Sequence, residues 1–406
     1  MVKIAILGYG TVGSGVVKVI SENQALIDKK AGEEIRVKYV LDLRDFPGDP
    51  VQDILVHDYE TILNDPEVKV VVETMGGLNP AYNFTKDALL KGKSVCTSNK
   101  ELVAAHGSEF LSIAREKQVN YLFEASCGGG IPIIRPLISS FTADEIDEVS
   151  GILNGTTNFI LTEMAEKGSD FQDVLKEAQE LGYAEKNPEA DVEGYDACRK
   201  IAILSSLAFG HTVHYEDVQT EGITHISPED IAFAKELNAS VKLLASAYWE
   251  EAEGKRNYYA MVAPFLVAKG HPLCQVNGVF NAVFVHGNMV GDTLFYGSGA
   301  GSLPTASAVV GDVVDVVKHL GKTIYICWDS DRLSLESNKN AKRSFFVRVS
   351  ADKLKEAETH FRASKTLYLK SLPHEAGLVT AVMPEGEFLE LVKKFGGVES
   401  YIRINH

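Results

Sequence analysis

Apolar runs and amphipathic stretches alternate through residues 1–140. Ile4–Leu7 is apolar throughout, a glycine turn follows, and Ser14–Glu22 repeats apolar positions at helical spacing. Ile35–Leu41, Val68–Glu73 and Ser94–Thr97 are further strand-like runs with helix-favouring sequence between them. Apolar strands joined by helical crossovers predict a parallel, doubly wound α/β sheet, a nucleotide-binding candidate.

From Glu145 the pattern changes. Glu148–Leu153 and Tyr258–Phe265 read as strands with helices between them, which predicts an α+β region over 141–296, its sheet covered on one face by helices. Asp329–Lys342 is polar and reads as a linker. Beyond it, Phe345–Ser350, Asp352–His360, Thr366–Leu369, Gly377–Met383, Glu387–Phe395 and Glu399–Ile404 follow the order β, α, β, β, α, β. That order predicts a small ferredoxin-like unit over 343–406.

One helix carries chemistry. Glu193, Asp196 and Lys200 fall at i, i+3 and i+7, beside an apolar stripe of Ala197, Ile201, Leu204 and Ala208. An acid and an amine one turn apart at the edge of a core suit proton transfer, because burial tunes both groups. By spacing alone the stripe equally describes a solvated ion pair on a helix surface.

Composition removes whole classes of partner. The 406 residues carry a net charge of −16, which argues against nucleic acid and anionic membrane. No apolar run approaches the ~18 residues needed to span a bilayer. Met1-Val2-Lys3 leads directly into a strand and leaves no room for a signal peptide. Five widely spaced cysteines without a CxxC pair fit a reduced, cytoplasmic compartment. Eleven histidines show no ligand pair, so no zinc or iron site is expected.

Gly8-Tyr-Gly-Thr-Val-Gly13 is a G-x-G-x-x-G turn between the first strand and the first helix. Such a turn lets a pyrophosphate approach the backbone and rest on the helix start, which makes Gly8, Gly10, Thr11, Val12 and Gly13 candidate dinucleotide contacts. At the end of the second strand Asp42 would suit NAD and Arg44 would suit the 2′-phosphate of NADP. Both signals are present, with a slight lean to NADP.

The ordered motifs Gly8–Gly13, Thr97–Ala104, Phe123–Ile133, Gly151–Leu161 and Leu181–Asp191, with the Asp196/Lys200 helix, resemble homoserine dehydrogenases over residues 1–320. The resemblance implies NAD(P)-dependent interconversion of L-aspartate 4-semialdehyde and L-homoserine, on the route to threonine and methionine, and a homodimer or higher homo-oligomer. It places Asp196, Lys200 and Lys100 in the catalytic centre. It places Glu185 and Asp191 on the substrate's amino and hydroxyl groups, with Gly155 and Thr156 facing it. Thr74, Thr97, Lys100 and Gly301 join the expected cofactor contacts, Gly301 through a late glycine segment over 297–305. Glu124 and the carbonyls of Cys127, Gly129 and Ile131 match a sodium site.

Aldehyde reduction needs a hydride from the cofactor and a proton from the protein. Lys200 is the expected donor, with Asp196 positioning it or a water between them. Lys100 follows the fourth strand at the ligand-binding end of an open sheet and would stabilise the developing oxygen. A rival reading makes Cys127 a thiol nucleophile beside the nicotinamide. Another makes the chain a nucleotide sensor that kept only the fold. The carboxyl-terminal unit resembles an ACT module, yet Ser350-Ala-Asp-Lys-Leu-Lys stands where that module's Asp-x-Pro-Gly effector loop is expected.

Overall fold

The structure, a computed structural model, describes residues 1–405. β1 (Val2–Leu7), β2 (Ile35–Leu41), β3 (Leu55–Val56), β4 (Val68–Glu73), β5 (Ser94–Thr97) and β6 (Tyr121–Leu122) form one parallel sheet in the order 3-2-1-4-5-6. Strand order reverses between β1 and β4, and the crevice beyond their carboxyl ends is where such sheets bind dinucleotides. β1, β2, β4 and β5 lie where the apolar runs place them. β3 and β6 are two residues long, too short to show a period.

The Thr11–Glu22 helix buries Gly13, Gly15, Val16 and Ile20. Against it packs the Ser302–Lys318 helix, which returns from the far end of the chain with Ala306, Val309, Val313 and Val316 buried. The Ser302 hydroxyl closes the contact by donating to the Thr11 carbonyl at 2.6 Å.

A second sheet holds ten strands. β7 (Ile146–Ile152), β8 (Gln219–Thr220), β9 (Ala239–Ala252), β10 (Lys255–Ala268), β11 (Phe280–Gly287) and β12 (Gly291–Ser298) come from the middle of the chain. β13 (Lys342–Arg343) and β17 (Met383–Pro384) pair separately, while β14 (Phe345–Ser350), β15 (Ala363–Tyr368), β16 (Glu375–Thr380) and β18 (Val398–Asn405) join the large sheet. The order is 12-11-7-9-10-18-14-16-15, with β8 also on β10. Period-two alternation divides β10: Val262 and Leu266 face the core under the helices, whereas Met261, Phe265 and Val267 build a second core with Leu244 and Phe284. The Gly155–Lys167, Tyr195–Phe209 and Pro228–Glu236 helices cover the first face.

The carboxyl-terminal strands run antiparallel in the order 18-14-16-15, the ferredoxin-like arrangement that the element order predicts. The expected linker is corrected. Asp329 and Leu333 donate amides to Gly210 and Thr212, Glu336 donates to Tyr258, and buried Asn338 donates to Ala260 at 3.0 Å. β10 and β18 then pair in parallel, so the last unit continues the same sheet. Ion pairs from two buried arginines of the last unit hold the join: Arg403 meets Glu221 at 2.7 Å and Arg348 meets Asp230 at 2.9 Å, while Glu385 and Glu375 brace the same guanidinium groups from within the unit. The polar stretch 329–342 reads as a linker because sequence alone does not show that its amides and Asn338 are satisfied by Gly210, Thr212, Tyr258 and Ala260.

Candidate active site

Gly194 adopts φ +83° and the helix starts only at Tyr195. Glu193 therefore lies outside it and accepts from the Thr224 hydroxyl instead, which removes it from the expected stripe. Asp196 occupies the first turn and Lys200 the second, and they are only 4% and 8% exposed. The Lys200 ammonium donates to Asp196 Oδ2 and to the Leu153 carbonyl, both at 2.7 Å. On the other side, Asp196 Oδ1 meets the Lys100 ammonium in a close ion pair.

Lys100 opens the Lys100–Lys117 helix just beyond β5, and the Asn99 side chain caps that helix by accepting the Leu102 amide. Burial pushes the Asp196 carboxyl up, but the ammonium groups of Lys200 and Lys100 outweigh it and hold the group well below the usual carboxylate range. Burial pulls Lys100 down and the Asp196 charge outweighs it, leaving Lys100 raised. A solvated surface pair is thereby excluded.

Asn154 is the residue that sequence reasoning missed. Its Nδ2 donates to Asp196 Oδ2 at 2.9 Å and to Asp191 Oδ1 at 2.7 Å, while its Oδ1 caps the Gly155–Lys167 helix by accepting the Thr157 amide. The available signal was Asn-Gly directly after a strand, a helix-start signature. Gly155 and Thr156 line the same cleft as Asp191, Asp196, Lys100 and Lys200. Burial raises the Asp191 carboxyl. Glu185 is not brought in: it is exposed on the loop before Asp191, and only its backbone carbonyl is engaged, by Gln179.

The cleft encloses about 560 Å³, and Thr11, Val12, Ser298, Gly299 and Gly301 form its opposite wall. At the glycine turn a Cβ on Gly13 would stand 1.9 Å from the Gly8 carbonyl oxygen, so only glycine fits. Gly10 has nothing within 4 Å of its Cβ position, and the Thr11, Val12 and Gly13 amides have no partner among the described residues. Open space above free helix-start amides fits a pyrophosphate. Thr74 donates to the Leu7 and Gly8 carbonyls, and buried Thr97 donates to Glu73 at 2.6 Å, so both stand behind the cleft wall. Asp42 accepts from the Tyr9 amide and from the Arg44 guanidinium at 2.9 Å, and the exposed Arg44 also donates to the Tyr9 carbonyl at 3.2 Å, so its guanidinium lies over Asp42 at the end of β2.

Both Glu124 oxygens accept backbone amides, from Ile133, Ile134 and Arg135, and so cap the Ile134–Ser139 helix. Cys127 is fully buried and its thiol is pushed up to about 12 by burial, which disqualifies it as a nucleophile. No helix among the described residues is long and apolar enough to cross a membrane.

Comparison with known proteins points one way. A family model described as "Homoserine dehydrogenase, NAD binding domain" matches residues 8–124, and one described as "Homoserine dehydrogenase" matches residues 132–314. The chain is 44% identical over 323 residues to the homoserine dehydrogenase of Bacillus subtilis, covering 79% of this chain and 73% of that protein. A crystal structure of a homoserine dehydrogenase from Thiobacillus denitrificans superposes with a TM-score of 0.89 at 36% identity, over 100% of this chain and 98% of that one. A hyperthermophilic archaeal homoserine dehydrogenase mutant in complex with NADPH gives 0.65 at 28% identity, over 78% of this chain and 97% of that one.

Proposed function

From the premise that the chain belongs to the homoserine dehydrogenase family, we propose the following division of labour within its cleft. The activity is the nicotinamide-dependent interconversion of L-homoserine and L-aspartate 4-semialdehyde, an oxidoreduction at a CH–OH group. The bound dinucleotide supplies or accepts the hydride. Lys200 gives the proton to the developing alkoxide and takes it back in the reverse direction, held in place by the Leu153 carbonyl and Asp196. Lys100 places a second positive charge where negative charge grows on oxygen. Asp191, Gly155 and Thr156 bind the substrate's polar groups, with Glu185, on the exposed loop before Asp191, as a further anchor for the amino group. The observation that carries this reading is a buried carboxylate gripped by two ammonium groups, in one cleft with free helix-start amides.

The glycine turn receives the dinucleotide through Gly8, Gly10, Thr11, Val12 and Gly13, with Thr74 and Thr97 bracing it and Gly301 closing the far wall. NADP is preferred, supported by an Asp42 already occupied by Arg44 and Tyr9 and by the exposure of the Arg44 guanidinium beside it. A sodium ion is held by Glu124 with the carbonyls of Cys127, Gly129 and Ile131, which receive no backbone amide among the described residues. Residues 1–140, completed by 297–325, form the cofactor domain, 141–296 the substrate and dimerisation domain, and 343–406 an ACT-like domain. The enzyme is a homodimer or higher oligomer, supported by Leu294, Tyr296 and Phe280 exposed together on the outer strands β12 and β11, and it is cytoplasmic, supported by five free, widely spaced cysteines.

Initial rates of homoserine oxidation with NAD and NADP in parallel test the reading. Turnover with both, and an Arg44→Ala variant that raises KM for NADP about tenfold more than KM for NAD, is expected. A native enzyme inactive on homoserine with either cofactor overturns it.

A further inference from the structure

Leu153 and Asn154, at the end of β7, touch both members of the acid–amine pair. The Leu153 carbonyl accepts from Lys200, and the Asn154 amide donates to Asp196. Asn154 uses both protons of its Nδ2, because the second goes to Asp191 at 2.7 Å. Its orientation is locked. Oδ1 accepts the Thr157 amide at 2.9 Å and the Thr157 hydroxyl at 3.1 Å, and a flipped amide would turn that oxygen onto two carboxylates. The residue is 6% exposed and its whole hydrogen-bonding capacity is used.

Two carboxylates on one small donor repel each other. Asp191 is faced by Asp196 and Lys200 from the Tyr195–Phe209 helix and by Lys100 from the helix after β5. Asp196 is faced by those two lysines and lies near the Cys127 thiol. Lys100 and Lys200 make their close ion pairs with Asp196, leaving Asp191 with Asn154 as its hydrogen-bond donor among the described side chains. We propose that Asn154 is a positioning residue that keeps Asp191 and Asp196 side by side as anions and thereby sets the acid limb of the reaction's pH dependence. This rests on the dehydrogenase reading and adds to it the group that keeps Asp191 ready for a cationic part of the substrate.

The sign follows from the bond. A donor to a carboxylate favours its ionised form, so removing Asn154 raises the Asp191 titration, on top of the rise that burial already gives it. Charge-assisted hydrogen bonds of this kind are worth about one pKa unit or slightly more.

The test is the pH profile of kcat/KM for homoserine oxidation at saturating cofactor, on the full chain and two variants. Asn154→Ser keeps an N-cap of comparable strength and cannot reach both carboxylates. Asn154→Asp keeps the size and replaces the donor with a third acid. The acid limb is expected to move up by about one pH unit in the first and further in the second, with kcat/KM recovering toward alkaline pH and KM for the cofactor unchanged. Acid limbs that coincide with the native enzyme in both variants overturn the proposal. So does an equal loss at every pH, which a displaced helix start would give. If Asn154→Ser fails to fold, Asn154→Asp decides by the same criterion. Native activity on homoserine with unshifted variants sinks only this inference, whereas an inactive native enzyme sinks the reading beneath it.

Discussion

The coupling between Asp196 and Lys200 can be measured separately from their role in turnover. In Lys200→Met a side chain of similar length fills the site, and Asp196 keeps Lys100 and Asn154 as partners. The cost is therefore below the ~3–5 kcal/mol expected when a buried charge loses its only partner, and on the order of 2 kcal/mol. Asp196→Asn strands two ammonium groups. The Lys100 side chain is 40% exposed and can be hydrated, but that of Lys200 is 10% exposed and cannot, so this variant should lose about 3–5 kcal/mol. In the double variant neither buried charge is stranded, and its loss should fall short of the sum by at least about 1 kcal/mol.

Denaturant unfolding of the four proteins reads this cycle. Turnover behaves differently: each single variant and the double should lose roughly two to four powers of ten, without summing. The Asp196 carboxyl is depressed in the folded protein, so it contributes stability that is present above the ordinary carboxylate range and lost as pH falls. Lys200→Met should flatten that acid loss. Stability changes that add within about 0.5 kcal/mol, or near-native turnover in a folded Lys200→Met enzyme, would refute the reasoning.

Three further outcomes are expected. Iodoacetamide should alkylate the exposed Cys327 and leave turnover unchanged, because Cys127 is buried; stoichiometric inactivation would restore the thiol mechanism. Gly13→Ala should lower the melting temperature and abolish cofactor binding, whereas Gly10→Ala, which meets nothing within 4 Å, should melt like the native protein with a raised cofactor KM; equal melting of the two would contradict the geometry of the turn. Arg403→Met leaves Glu385, 1% exposed, with Arg343 as its remaining guanidinium, and should therefore cost on the order of 2 kcal/mol of unfolding free energy, with a change under about 0.5 kcal/mol arguing against a buried clamp.

What the sequence made legible follows from the range of the interactions. The glycine turn, β1, β2, β4 and β5 are specified by neighbours in sequence, and they lie where their patterns place them. Asp196 and Lys200 were legible as a pair because they are one helical turn apart. Their burial was not, since it depends on Leu153, Asn154 and Lys100 from other elements. Glu193 shows the limit of periodicity: a single glycine in the left-handed region moved the helix start past it. Asn154 was hidden because its cap role is local while its grip on Asp191 and Asp196 spans 37 and 42 residues.

The parallel pairing of β10 with β18 has a practical consequence for anyone shortening the chain. Phe265, Leu266 and Val267 have their outer backbone groups covered by Arg403, Ile404 and Asn405. Ending the protein before β14 would uncover those groups on a long, apolar strand in the middle of the molecule. Such an edge recruits other chains. A truncated protein would thus be more prone to self-association, and its loss of activity would say nothing about whether the missing segment senses a small molecule. Point substitutions on the surface of the last unit, which leave the ladder intact, are the sounder way to ask that question.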